Sequence, residues 1–143
     1  MQLTEHFTLE ELSRSEVGSR LGILNTVPPE VLPAITTTAQ GMEAVRALFG
    51  APITVHSGFR CPTINHLVGG VPGSAHLTGY AVDFTVSGYD NLEAAERIVN
   101  SSLEFDQCIL EYGWIHISFD PQLRRQVMTK KSAIAPYVAG LAA

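Results

Sequence analysis

Apolar residues recur at Val31, Leu32, Ile35, Ala39, Met42, Val45 and Leu48, a spacing that lines one face of an α-helix. Pro29 suits the first turn of this helix and Gly50 its stop. Capping boxes predict two further helices. Thr8 and Glu11 in "TLEEL" open a short one that ends before Gly18; Asp90 and Glu93 open another, with Leu92, Ala95, Ile98 and Val99 on one face.

Elsewhere the period shortens to two, in the runs "PITVHSGF", "GYAVDFTV", "DQCILEYG" and "WIHISF", which read as strands. In the second run Tyr80, Val82, Phe84 and Val86 share one face, leaving Ala81, Asp83 and Thr85 on the other. The last run puts Ile115, Ile117 and Phe119 on one face, with Trp114, His116 and Ser118 opposite. The expected fold is α+β: a single domain over residues 1–143, with helices packed on one face of a small antiparallel sheet and a site on its other face.

Length agrees with one core, since a chain of 143 residues buries roughly two-thirds of its unfolded surface. Cys61 and Cys108 form no paired motif and read as buried thiols. The net charge is −5, and the only basic clusters are Arg124-Arg125 and Lys130-Lys131, read as solvated charge, so no nucleic-acid surface is expected. No apolar run approaches the ~20 residues of a membrane span. The polar opening "MQLTEHFTLEELSRSE" lacks a secretory pattern, which predicts synthesis in the cytoplasm, and a monomer is the expected state.

The strand pattern changes the meaning of "GSAHLTGYAVDF". His76 and Asp83 alone make an incidental pair, but His116 on the same polar sheet face supplies a third partner. Two imidazoles and one carboxylate are a familiar zinc set, and three protein ligands leave a fourth position open, as in catalytic rather than structural sites. One Zn2+ per chain is expected. His6, His56 and His66 have no comparable support, and Gly69-Gly70 and Gly73 read as turn residues rather than a phosphate loop.

The stretch "SAHLTGYAVDF" carries the S-x-H-x-x-G-x-A-x-D pattern of the zinc D-alanyl-D-alanine carboxypeptidase family of metallopeptidases, which it resembles. Upstream "SGFRCPTIN" is similar to the S-G-[YF]-R-[ST]-P-x-x-N stretch of that family's short, single-domain branch, and "WIHISF" resembles the strand bearing its last histidine. The N-terminal "FTLEELSRS" resembles short bacterial and phage members. The resemblance implies that His76, Asp83 and His116 are the zinc ligands. It further implies that Arg60 steadies the substrate or the developing oxyanion and that Ser74 lines the substrate site. Trp114 reads equally as a pocket wall or a packing residue.

The general base departs from the family pattern. Members often carry E-x-x-H before the last histidine, whereas Gly113 stands three residues before His116. Glu111 is the nearest carboxylate and the expected base, with Asp106 as the second choice. The reading is thus a zinc-dependent peptidase acting on D-amino-acid-containing peptides of peptidoglycan, resembling a lysin that reaches the wall by a holin or from the virion. The alternative is a non-catalytic zinc module that holds a wall peptide or a protein partner. Arg60 is the only arginine of the motif region, and no second cation is evident there to clamp a terminal carboxylate. Cleavage within cross-linked peptide is therefore expected over terminal D-alanine trimming.

Overall fold

The computed structural model describes residues 1–143. Its centre is a six-stranded sheet of β1 (Ile53–Ser57), β2 (Ala81–Val86), β3 (Gln107–Leu110), β4 (Ile115–Ser118), β5 (Gln126–Thr129) and β6 (Val138–Ala139). The strands lie in the order β1-β2-β4-β3-β5-β6. Six α-helices accompany it: α1 (Leu9–Leu12), α2 (Glu16–Leu21), α3 (Leu32–Phe49), α4 (Pro62–Leu67), α5 (Ala75–Thr78) and α6 (Asn91–Val99). None is long and apolar enough to cross a membrane.

The α3 helix forms where the apolar period places it. A 3₁₀ turn at Pro29–Val31 leads in, and Gly50 closes the helix in the left-handed region with its N–H on the Arg46 carbonyl. Ile35, Ala39, Met42, Val45 and Phe49 form the buried stripe, while Leu32 and Leu48 stay at its margin. The stripe packs on Val82 and Phe84 of β2 and on Ile115 and Ile117 of β4, and α6 adds Ala94, Ala95 and Ile98 to the same cluster. Each large side chain buried there contributes about 1.5–3 kcal/mol. The alternation read from the sequence thus separates a core face from a face bearing Asp83 and His116.

The first helix ends before Gly18 as expected, at Leu12, and a further helix, α2, which the sequence pattern did not announce, runs through Gly18 to a left-handed Gly22. The cause is Ser15, whose hydroxyl accepts from the Gly18 N–H and starts a new helix. The sheet corrects an expectation: it is mixed rather than antiparallel, because β5 runs parallel to β3. After β4 the chain turns past the start of β3, where Arg125 N–H donates to Phe105 O at 3.0 Å and Gln126 N–H to Asp106 O at 2.8 Å, so β5 begins beside that start and runs with it. Leu123 and Arg125 take positive φ values of 43° and 51° in this crossover, each at a cost of about 1–2 kcal/mol.

The arginine pair is also not free solvated charge, whereas Lys131 is exposed as expected. Arg124 holds the buried carboxylate of Asp106 through Nε at 2.9 Å and Nη2 at 2.8 Å. Arg125 stacks over the Phe105 ring at 4.6 Å and donates to Leu103 and Ser101 carbonyls. Of the cysteines, Cys108 is buried and Cys61 half-buried, and both are free thiols.

Candidate metal centre

The centre is built by register. Asp83 on β2 lies directly opposite His116 on β4, so their side chains leave the same face of the sheet side by side. His76 arrives from outside the sheet, on the four-residue helix α5, which was not among the helices expected from the sequence. Ser74 caps that helix by accepting from the His76 N–H. Gly79 ends it with φ of 88°, and a Cβ there would lie 2.8 Å from Ile35 and Val31 side-chain atoms. This glycine turns the chain from His76 back into the strand that carries Asp83.

The three side chains meet through their donor atoms. Asp83 Oδ1 lies 3.1 Å from His76 Nε2 and 3.1 Å from His116 Nδ1, and the two nitrogens are 3.2 Å apart. A tetrahedral metal with bonds of ~2.0–2.1 Å has edges of about 3.3 Å between ligand atoms. The triangle therefore has the size of one face of such a site, and the residues present fit a metal. All three are buried.

A neighbouring carbonyl fixes the orientation of His76. His76 Nδ1 lies 2.7 Å from the Gly58 carbonyl, and because that oxygen only accepts, Nδ1 carries the hydrogen and leaves the Nε2 lone pair facing the cluster. Gly58 follows an irregularity in β1, where the pairing with β2 shifts between Val55 and Ser57. A Cβ on Gly58 would lie 2.0 Å from the Leu12 carbonyl oxygen. Only glycine allows this close approach. Burial lowers the His76 pKa and keeps the ring neutral, as a ligand must be. Burial works the other way on Asp83, but the adjoining imidazoles outweigh it and hold the carboxyl well below its ordinary range.

Beside the triangle lies a cavity of about 1050 Å³ lined by Arg60, Ser74, Glu111 and Trp114 among others. Glu111 follows β3 and returns to the face of His116 through a tight hairpin, its N–H donating to Trp114 O at 3.0 Å and Gly113 adopting φ of 126°. The hairpin brings the carboxylate to the metal cluster from the neighbouring strand. Burial, and then the negative charge of Asp83, raise its pKa above the ordinary glutamate value. Asp106 is differently placed, with both carboxylate oxygens engaged by Arg124.

Arg60 Nη2–H donates to Ser74 Oγ at 3.4 Å, and its backbone N–H donates to the His76 carbonyl at 3.0 Å. Its Nε–H is buried without a partner. Burial lowers its pKa against the attraction of Asp83 and Glu111, and a guanidinium remains charged throughout. Trp114 meets Tyr112 edge-on, with ring centroids 4.5 Å apart. His56 lines the cavity from β1 but spends its ring on Thr85, Nε2 lying 2.9 Å from Oγ1. His6 is far in sequence from these residues and pairs instead with Glu43.

Among the cavity residues that the motifs did not point to are Lys130 and Tyr137. Gln126, Met128 and Lys130 alternate with Val127 and Thr129, the one signal that could have revealed β5.

A family model described as Peptidase M15 matches residues 5–118. The match spans the three clustered residues His76, Asp83 and His116 and also Arg60, Ser74, Glu111 and Trp114. Comparison with curated proteins returned no match. The chain belongs to the peptidase M15 family, that of the zinc D-alanyl-D-alanine carboxypeptidase type.

Proposed function

We propose that the protein is a zinc-dependent peptidase that hydrolyses D-amino-acid-containing peptide bonds of bacterial peptidoglycan. The observation that carries this reading is the buried triangle of His76, Asp83 and His116 with the Glu111 carboxylate just past the end of the adjoining strand. Zinc bound there supplies a Lewis acid that polarises the scissile carbonyl and lowers the pKa of a bound water.

The protein's own residues do the rest. Glu111 takes a proton from the attacking water and passes it toward the leaving amine. Its place beside the cluster suits both steps, because a carboxylate that accepts the water proton can return it to the leaving amine from the same position. Arg60 favours the transition state by offering its guanidinium to the oxygen that gains charge. Ser74 holds Arg60 in place and lines the site, and Trp114 walls the cavity.

Cleavage within cross-linked peptide is the preferred activity, with terminal D-alanine trimming as the lesser one. The support for this is that Arg60, the one arginine of the motif region, is taken up by the oxyanion role, while the cavity lining extends beyond the triangle to Ser15, Val17, Gln107 and Gln122. Lys130 adds a second cation that the motifs did not contain. Its ammonium, however, already donates to Ala135 O at 2.6 Å and lies over the Tyr137 ring at 4.6 Å, so it is not a free clamp for a carboxylate.

The test is digestion of purified peptidoglycan by the zinc-loaded protein, with products identified by mass spectrometry. Monomeric stem peptides released from cross-linked dimers are expected. Binding of wall peptide without any hydrolysis would favour the non-catalytic module. Faster release of D-alanine from uncross-linked pentapeptide, with dimer left intact, would reverse the endopeptidase preference alone.

A further inference from the structure

Residues beyond the last motif close one side of the cavity. The β6 strand pairs antiparallel with β5, Thr129 facing Val138 and Met128 facing Ala139. Thr129 is buried on the core side, so its neighbour Lys130 turns to the cavity. Tyr137 stands beside Lys130, with the ammonium 4.6 Å from its ring centroid. The intervening loop is tied down at both ends. Lys130 Nζ donates to Ala135 O at 2.6 Å and the Ala135 N–H to Ser132 Oγ at 3.1 Å, while Gly140 O accepts from Thr129 Oγ1 at 2.7 Å.

Tyr137 is thus a half-open aromatic residue on a pinned loop, lining the same cavity as Arg60, Glu111 and the metal triangle. No hydrogen bond within the protein occupies its hydroxyl, although the ring itself is fixed from one side by Lys130. We propose that Tyr137 is a catalytic residue whose hydroxyl donates a hydrogen bond to the substrate carbonyl oxygen as that oxygen becomes tetrahedral, acting beside Arg60. Lys130 is its positioning residue. The inference rests on the peptidase reading above and lies outside the residues that the family model matches.

The chemistry suits the role. A donor to a developing oxyanion must keep its proton, and partial burial followed by the negative field of Glu111 raises the phenol pKa above its ordinary value. A preorganised neutral donor costs no reorganisation when charge develops on the substrate, and it therefore acts on the transition state rather than on the bound peptide. Arg60 is positive and Tyr137 neutral, so the pair supplies one charged and one neutral donor to the same oxygen.

The experiment uses the zinc-loaded full chain and Tyr137→Phe, which keeps the ring and its contact with Lys130. Kinetics on a cross-linked stem-peptide dimer are paired with calorimetric binding of a phosphinate peptide, a stable mimic of the tetrahedral state. The variant is expected to keep its zinc and melting temperature, lose about 100-fold in kcat with KM within about twofold, and bind the phosphinate weaker by a similar factor. Unchanged kcat and phosphinate affinity would overturn the role, as would a rise in KM alone, which marks a ground-state contact. Wild-type protein that neither cleaves the dimer nor binds the phosphinate would remove the peptidase reading and this role with it, an outcome distinct from failure of the variant alone.

Discussion

Asp83 and His116 face one another across β2 and β4, with Asp83 Oδ1 3.1 Å from His116 Nδ1. Backbone pairing alone sets two of the three candidate metal ligands side by side. Only His76 must be delivered separately, and the Gly58 carbonyl turns its ring to the cluster. Purified protein is therefore expected to hold about one zinc per chain. Alanine at His76, Asp83 or His116 should each remove most of it by elemental analysis, and retention of full zinc by all three would refute the ligand set.

Gly58→Ala should damage the metal site without touching a ligand. The new methyl would meet the Leu12 carbonyl at 2.0 Å, so the backbone must move and the acceptor for His76 Nδ1 moves with it. Loss of such an orienting partner costs roughly 10–100-fold in metal affinity. Competition against a zinc chelator measures this directly, and an affinity equal to wild type would show that the carbonyl has no hold on the ring.

Glu111→Gln preserves shape but cannot accept a proton. The variant should keep its zinc and lose about 100-fold or more in rate. The pH profile gives a second reading of the same group. Because the Glu111 pKa is raised, wild-type kcat/KM should fall as pH drops through a value above the ordinary glutamate range, when the base becomes protonated. A profile of Glu111→Gln that kept the same acid limb would assign that limb to another group.

Asp106→Asn should be a stability variant rather than a catalytic one. Its carboxylate accepts from the Arg124 N–H, Nε and Nη2 and anchors the crossover that carries Leu123 and Arg125 in left-handed conformations. Losing charge-assisted hydrogen bonds of this kind costs about 1.5–3 kcal/mol. Arg124 holds the Asp106 pKa below its ordinary value, so the carboxylate stabilises the fold above about pH 4 and loses that contribution as pH falls through its lowered folded value. Thermal unfolding from pH 7 down to pH 2 should therefore show a shallower acid slope for Asp106→Asn. An inactive but equally stable variant would return Asp106 to the list of candidate bases.

Much of this architecture was legible because it rests on local rules. The period of α3, the cap at Thr8 and the alternation around Asp83 and His116 are each properties of a few neighbouring residues. The parallel pairing of β3 with β5 was not legible, because it is set by contacts between residues about twenty positions apart, among them the Asp106–Arg124 pair, which looks like any acid and base in a sequence. Gly58 stood inside a recognised motif, yet its part in the site is played by a backbone oxygen that no side-chain pattern encodes. Lys130 and Tyr137 reach the cavity only through the β5–β6 pairing, on strands of four and two residues too short to announce themselves.

The Gly58 segment also joins the metal to the beginning of the chain. Phe59 N–H donates to the Leu12 carbonyl at 2.7 Å, the same oxygen against which Gly58 packs, while the Gly58 carbonyl holds His76. Docking of α1 and binding of a metal at His76 thus share one peptide unit, and any free energy that couples them acts equally in both directions. Withdrawing the metal should loosen α1, read as faster amide exchange at Phe59. A substitution that frays α1 should in turn weaken metal affinity, although α1 supplies no ligand and lines no part of the cavity.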